Sequence, residues 1–231
     1  MEEFLRKLNR VNCPLQQDIF KNLSERELQI MNEGRYEVSY KSGETIFKQG
    51  TPLTHIACVT SGMLKIYIEG LNNKNMLIKI AGEKEIIGGP GMYTDFKHHF
   101  TVTALKNTLI CQIDVDAFKE VIQMNSNFAM SLLRQNNIQG IKNFEKFINL
   151  TQKHMPGRIA DAIFYLSDEV HKSEDFITPI SRQDLADLTA MTKESAIRIL
   201  KEFRDAGLMQ VEGSRFKILR REQLKKISQT G

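Results

Sequence analysis

Two regimes of patterning divide the chain. From residue 35 to about 115, apolar residues come in short alternating runs, whereas from about 125 onward they recur every three or four positions. The first regime predicts strands at Tyr36–Tyr40, Glu44–Phe47, Ile56–Thr60, Met63–Glu69, Met76–Ile80, Thr101–Ala104 and Thr108–Asp114, each rich in β-branched or aromatic side chains. Gly43, Gly50, Gly62, Gly70 and Asn72-Asn73 punctuate them as turns. Strands this closely spaced imply an antiparallel sandwich or jelly-roll barrel, a fold able to enclose a small ligand.

The second regime opens with a helix over roughly Asn125–Gln152 that has no internal proline. Leu132, Leu133, Ile138, Ile141, Phe144, Phe147, Ile148 and Leu150 cover more than one of its faces, which predicts burial on two sides. One side would pack on the barrel and the other on a partner. Pairing with a second copy would give a two-fold dimer, although Asn136, Asn137 and Gly140 interrupt any long uniform zipper. An ordinary core helix of a single chain fits the same pattern. Pro156-Gly157 reads as a hinge after it.

Residues 181–207, SRQDLADLTAMTKESAIRILKEFRDAG, hold two shorter amphipathic helices. Ser181 is suited to an N-cap and Asp184 completes a capping-box pattern, so a helix starts at Arg182, with Leu185, Ala186 and Leu188 inside. It breaks around Thr189-Ala190-Met191, and Thr192 offers a second N-cap. Ala196, Ile199, Leu200 and Phe203 then form a buried stripe that ends at Gly207, placed for a left-handed terminus. The pair is a helix-turn-helix. Leu208–Val211 and Arg215–Ile218, joined through Glu212-Gly213-Ser214, read as a β-hairpin wing behind it.

The outer face of the second helix carries Lys193, Glu194, Ile197, Arg198 and Lys201. Arginine can donate two parallel bonds to guanine, glutamate can accept from cytosine, and an exposed aliphatic can pack on a thymine methyl. Hydroxyls at Ser181, Thr192 and Ser195, with Arg182, Lys201 and Arg215, suit phosphate contacts that fix register. A capped, solvated helical hairpin is the plain alternative. Charge argues against it: residues 178–231 hold 11 Lys and Arg against 7 Asp and Glu, an excess of four that equals the +4 of the whole chain.

At 231 residues and 41% hydrophobic content, the chain has room for a second core besides a winged helix. It has no apolar run long enough to span a bilayer and no signal-peptide pattern at Met1–Arg10, so we expect a cytoplasmic protein with no membrane partner. Cys13, Cys58 and Cys111, odd in number and far apart in sequence, suit reduced thiols. Neither an HxH nor an HxxxH pair, nor a phosphate loop, nor a paired nucleophile and base stands out, so neither catalysis nor a metal site is expected. His98 and His99 read as solvated surface residues, His55 and His154 as isolated ones, and Met92, Tyr93 and Phe100 as lining or capping the barrel.

Across about residues 10–220 the chain resembles the cyclic-AMP receptor protein and fumarate-nitrate regulator (Crp/Fnr) type of bacterial transcription factor. The resemblance rests on GETIFKQG at 43–50, VTSGMLKIY at 59–67, GRIA at 157–160, RQDLA at 182–186 and TKESAIRILK at 192–201. It implies an α+β chain in three parts: an effector-sensing jelly-roll barrel over 1–124, a dimerisation helix over 125–152 and a DNA-binding winged helix-turn-helix over 153–231. It also implies base-reading roles for Lys193, Glu194 and Arg198, with Ile197 beside them, and a phosphate role for Ser195. Double-stranded DNA and a second copy of the chain are the implied partners, with RNA polymerase added if the protein activates. A ligand-sensing barrel that regulates a protein partner is the competing reading, and the basic winged helix argues against it.

The effector site departs from the family pattern. Where cyclic-AMP-binding members carry a Gly-Glu pair, this chain reads Gly88-Gly89, and the Arg-Ser pair falls near His98-His99. Without the arginine a cyclic phosphate loses a charge-assisted fork, so ordinary cyclic AMP binding is not expected. An iron–sulfur cluster needs about four thiolates, and the N-terminal region offers only Cys13. No motif marks a haem ligand. The effector pocket is assigned to Gly88, Gly89, His98 and His99, with its ligand or cofactor unidentified.

Overall fold

The structure, a computed structural model, describes residues 20–230. They fall into two compact units, one comprising the chain up to Ile66 with Ala81–Gly140, the other Tyr67–Ile80 with the chain from Ile141 onward. Cys13 and the Met1–Arg10 segment lie outside the described residues.

The first unit begins with α1 (Glu25–Glu33). Ser24 caps it in a full capping box: Glu27 N–H donates to the Ser24 hydroxyl and Ser24 N–H to the Glu27 carboxylate. Eight strands follow in the chain, of which the outer part of the β4–β5 hairpin (Tyr67–Ile80) belongs to the second unit: β1 (Arg35–Tyr40), β2 (Thr45–Phe47), β3 (His55–Ser61), β4 (Leu64–Glu69), β5 (Asn75–Ala81), β6 (Ile86–Ile87), β7 (Thr101–Ala104) and β8 (Thr108–Asp114). They form two four-stranded sheets, ordered β1-β8-β3-β6 and β2-β7-β4-β5. Helices α2 (Val115–Met124) and α3 (Ser126–Gln152) come next, and the division between units falls within α3.

Alternation decides what each strand touches. Ala57, Val59 and Ile110 of one sheet join Phe47, Leu64, Ile66, Val102 and Ala104 of the other in an apolar interior. The intervening residues Ile56, Cys58, Cys111 and Ile113 face the opposite way and pack with Phe20, Met31, Phe118, Val121 and Phe128 of the helical layer. Central strands β3 and β8 are thus covered on both faces, which is why they read as nearly continuous apolar runs. The β3–β4 turn requires its glycine: Gly62 has φ +113°, and an added Cβ would stand 2.6 Å from Thr108 Cα.

Cys58 and Cys111 are thiols, as expected, and the fold sets them, far apart in sequence, directly opposite each other across β3 and β8. Two other expectations change here. His98 is not solvated: it is 3% exposed, and its ring stacks on Phe47 with centroids 4.2 Å apart. The bend that carries it bonds inward, with His98 N–H donating to Thr51 O at 2.9 Å, so the side chain is drawn under the surface. Finally, α3 is not buried on two sides within one chain. Phe128 is its one buried residue, whereas Leu133, Ile138, Ile141, Phe144, Phe147 and Ile148 are exposed. The helical layer covers the start of α3, and among the described residues the rest of that apolar face stays exposed.

The second unit contains α4 (Met155–Phe164), a π-helical turn at Tyr165–His171, β9 (Asp175–Ile177), α5 (Arg182–Leu188), α6 (Lys193–Asp205), β10 (Met209–Glu212), β11 (Arg215–Ile218) and α7 (Arg221–Thr230). Pro156 and Gly157 sit in the first turn of α4, where proline's missing N–H costs nothing, so the break expected there falls just before them. Ile159, Ile163, Leu185, Ala196, Ile199, Leu200, Phe203, Phe216 and Leu224 make the core. Arg221 fastens α7 by pairing with Asp168 at 2.6 Å and Glu174 at 3.1 Å while its guanidinium lies over Phe164. The Tyr67–Ile80 hairpin of this unit is gripped by its backbone: Lys146 Nζ donates to Leu77 O and Ile78 O, and Ile80 N–H donates to the Tyr165 hydroxyl. Burial lowers the Lys146 pKa to about 8.

Candidate nucleic-acid interface

The interface is built from the caps inward. Ser181 accepts from Asp184 N–H at 3.0 Å, Ser181 N–H donates to the Asp184 carboxylate at 2.9 Å, and α5 starts at Arg182 as its sequence requires. The turn is closed by the Thr189 hydroxyl on Leu185 O at 2.8 Å and by Met191 N–H on Ala186 O at 3.1 Å, with Ala190 left-handed. Thr192 caps α6 through Ser195 N–H at 3.2 Å. At the far end Gly207 has φ +66° and Leu208 N–H reaches back to Phe203 O at 2.9 Å, the pairing that closes a helix on a left-handed residue.

With both ends fixed, the rotation of α6 follows from its apolar stripe. Ala196, Ile199, Leu200 and Phe203 are buried, which turns Lys193, Glu194, Ile197, Arg198 and Lys201 outward together. Ile197 is 45% exposed, a large apolar side chain held in water among charged neighbours. The Glu194 carboxyl is held below its ordinary pKa by its own backbone N–H and the Thr192 hydroxyl, so it stands ionised as an acceptor at neutral pH. Arg198 Nη1 lies 2.6 Å from Glu202 Oε1, one turn further along.

The expected phosphate contacts divide into two groups. Lys201 is exposed, and the Thr192 and Ser195 hydroxyls bond each other at 3.2 Å on the surface. The Ser181 hydroxyl, Arg182 and Arg215 are engaged inside the unit. Ser181 Oγ donates to Asp184 at 2.6 Å, Arg182 Nη2 donates to Gly213 O at 2.7 Å, and Arg215 forms a two-pronged pair with Asp175 at 2.8 Å per bond. That arginine holds the Asp175 carboxyl below the ordinary aspartate range. On the wing, Gln210, Glu212, Arg215 and Lys217 line a polar cavity of about 270 Å³.

Sequence reasoning missed Glu202, Asp175 and the strand β9 that carries Asp175. Glu202 is legible as the acidic partner four residues after Arg198. The β-prone Phe176-Ile177-Thr178 before Pro179 was the available signal for β9. That strand pairs with β11, so the wing is a three-stranded sheet ordered β10-β11-β9 and not a lone hairpin.

In the first unit, the residues assigned to an effector pocket do not share one environment. His98 is buried, and burial lowers its pKa. His99 is exposed and its ring lies 2.9 Å from the Asp95 carboxylate. Gly89 has φ +106°, and a Cβ there would stand 3.3 Å from the Phe100 ring. Phe100 packs on the sandwich interior and Met92 on the helical layer, whereas Tyr93 is exposed.

Comparison with known proteins finds two domain models matched along the chain. Residues 37–125 match the model of the cyclic nucleotide-binding domain, and residues 157–227 match that of the Crp-like helix-turn-helix domain. The transcriptional activator protein FnrA of Stutzerimonas stutzeri is 25% identical over 194 residues, covering 82% of this chain and 78% of its own. The cAMP-activated global transcriptional regulator CRP of Salmonella typhimurium is 24% identical over 178 residues, covering 75% of this chain and 85% of its own. Among solved structures, a transcriptional regulator of the crp/fnr family from Eubacterium rectale superposes with a TM-score of 0.77 at 15% identity, covering 92% of this chain and 98% of that one. No helix among the described residues is long and apolar enough to cross a membrane. A sandwich matched as a cyclic nucleotide-binding domain, followed by a long helix and a winged helix matched as a Crp-like helix-turn-helix domain, places this chain in the Crp/Fnr family of DNA-binding transcription regulators.

Proposed function

We propose that the protein works as a homodimer in the cytoplasm, that Lys193, Glu194, Ile197 and Arg198 read base edges of a palindromic operator, and that Thr192, Ser195, Lys201, Ser181 and Arg215 serve phosphate contacts. The carrying observation is the rotation of α6: its buried stripe leaves these four side chains on one outward face of a helix capped at both ends. Arginine supports guanine, ionised glutamate supports cytosine N4, and Ile197 supports a thymine methyl. Lys193 is a point donor without a planar fork, so it adds less base discrimination than Arg198.

The exposed apolar face of α3 supports pairing with a second copy. Phe144 is 66% exposed, and Ile141, Phe147 and Ile148 are exposed around it, more apolar surface than an isolated helix leaves in water without a partner. Two α6 helices would then enter successive major grooves about 34–36 Å apart. Control acts through the sandwich, around Gly88, Gly89, His98 and His99. Those residues do not fit cyclic AMP: one imidazole is stacked under the surface on Phe47, the other faces a carboxylate, and neither supplies a guanidinium fork for a phosphate. In an activator, RNA polymerase would be a further partner.

The test is selection from a randomised duplex library with purified full-length protein, followed by filter binding across a salt series. The expected result is an enriched palindrome whose half-sites contain at least one G·C pair, with affinity falling steeply as salt rises because neutralised phosphates release counterions. Failure to enrich any sequence would sink the base-reading assignment. Absorption spectra and mass spectrometry of anaerobically purified protein would identify the effector by its bound mass or chromophore.

A further inference from the structure

Arg182 stands in an awkward place. It is the first helical residue of α5, where the positive end of the helix dipole disfavours a cation, and its side chain is half-buried. Something other than local propensity holds it there. Its Nη2 donates to Gly213 O at 2.7 Å, and its guanidinium carbon lies 4.8 Å from the centroid of the Phe216 ring. Gly213 has φ +56° in the two-residue turn between Glu212 and Arg215, which is the tip of the wing.

The stack does not end at Phe216. Phe216 lies parallel to Phe176 of β9, with centroids 5.7 Å apart and planes 4° apart, and Phe176 lies on His171 at 4.8 Å and 12°. Pairwise contacts thus run from Arg182 of α5 to Phe216 of β11, from Phe216 to Phe176 of β9 and from Phe176 to His171 of the π-helical turn. Phe216 and Phe176 are buried. On the β9 side the tip is held by Thr178 N–H donating to Ser214 O at 3.0 Å, and through Arg182 the neighbouring Gly213 carbonyl is tied to the first helix of the helix-turn-helix.

We propose that Arg182 is a positioning residue for DNA binding: acting through Phe216 and Gly213, it fixes the wing tip, and with it Arg215 and Lys217, relative to α6. This replaces the phosphate role expected of Arg182 and rests on the DNA-binding reading above. A planar fork is needed, since lysine can neither lie flat over the ring nor reach the carbonyl with the same geometry.

The experiment uses the full chain with Arg182→Ala, Arg182→Lys and Phe216→Leu, read by hydrogen exchange without DNA and by fluorescence anisotropy on the selected operator. Arg182→Ala and Arg182→Lys should both raise exchange at residues 211–216 by about tenfold, leaving α6 amides unchanged. Both should weaken operator binding by a similar factor of about ten and lower its salt slope, because wing phosphates are lost together. Phe216→Leu should reproduce both effects, and combining it with Arg182→Ala should add little. Binding restored by Arg182→Lys, or weakened binding with unchanged exchange at 211–216, would overturn the proposal in favour of a direct phosphate contact. The exchange measurement needs no DNA, so a wild-type protein that selected no operator would defeat the base-reading assignment while leaving the wing clamp separately tested.

Discussion

Replacing Arg198 and its partner Glu202 separates reading from steering on α6. In the free protein the two side chains are paired at 2.6 Å and both are more than half exposed, so the pair contributes about 0.3–0.5 kcal/mol, as i,i+4 pairs on a helix surface do. Under the proposed base-reading role, a two-pronged contact from Arg198 to guanine would contribute about 1–3 kcal/mol of discrimination, a factor of about 5–150 in affinity. Base reading would then outweigh the internal pair. Arg198→Ala should weaken operator binding by that factor and flatten preference at one base pair, with scrambled DNA losing far less. Glu202→Gln should tighten binding about twofold by freeing the guanidinium, and the gain should vanish once Arg198 is alanine. The assay is fluorescence anisotropy at fixed salt on the operator, on its single-pair variants and on a scrambled duplex. Equal loss on operator and scrambled DNA after Arg198→Ala would refute the reasoning, because it would make Arg198 a phosphate contact.

Phe144→Glu places a charge on the exposed apolar face of α3 and should convert the proposed dimer to monomer by sedimentation velocity, with operator affinity falling as the second half-site is lost; a variant that stays dimeric would move the interface elsewhere. Ser181→Ala removes the α5 capping box and should cost about 1 kcal/mol, a drop of about 2–4 °C in thermal melting. His98 gives a pH dependence whose sign is fixed by its burial. The folded state lowers its pKa below 6.5, so as pH falls through 6.5 the unfolded chain takes up a proton that the native ring refuses, and stability declines. His98→Phe, which keeps the stack on Phe47, should remove that part of the decline in denaturant titrations at about pH 7.5 and 5.5; an unchanged pH profile would show that His98 does not contribute.

Local rules made much of the reading segment legible. Ser181, Asp184, Thr192 and Gly207 are capping residues whose bonds run over three to five positions, so sequence spacing suffices to place both ends of each helix. The stripe Ala196, Ile199, Leu200 and Phe203 then fixes which side faces out. The strand pattern was similarly readable, with boundaries shifted by a residue or two at β3 and β5. Elements recognised by distant partners were harder to see. Strand β9 is three residues long and exists because β11 offers an edge, and β6 is two residues paired to β3. Neither has enough pattern of its own.

What the sequence determined by itself was therefore the set of interactions that close within a few residues: caps, turns, helical stripes and strand alternation. Tertiary structure decided where separate stretches converge, because burial and pairing depend on which surfaces meet. It put Cys58 opposite Cys111, drew His98 beneath the surface against Phe47, and left the α3 apolar face exposed among the described residues. It also turned Arg182 onto a ring 34 positions further along the chain and a carbonyl 31 positions along. Spacing in sequence carries no record of such contacts, since a folded backbone brings together residues whose separation along the chain is arbitrary.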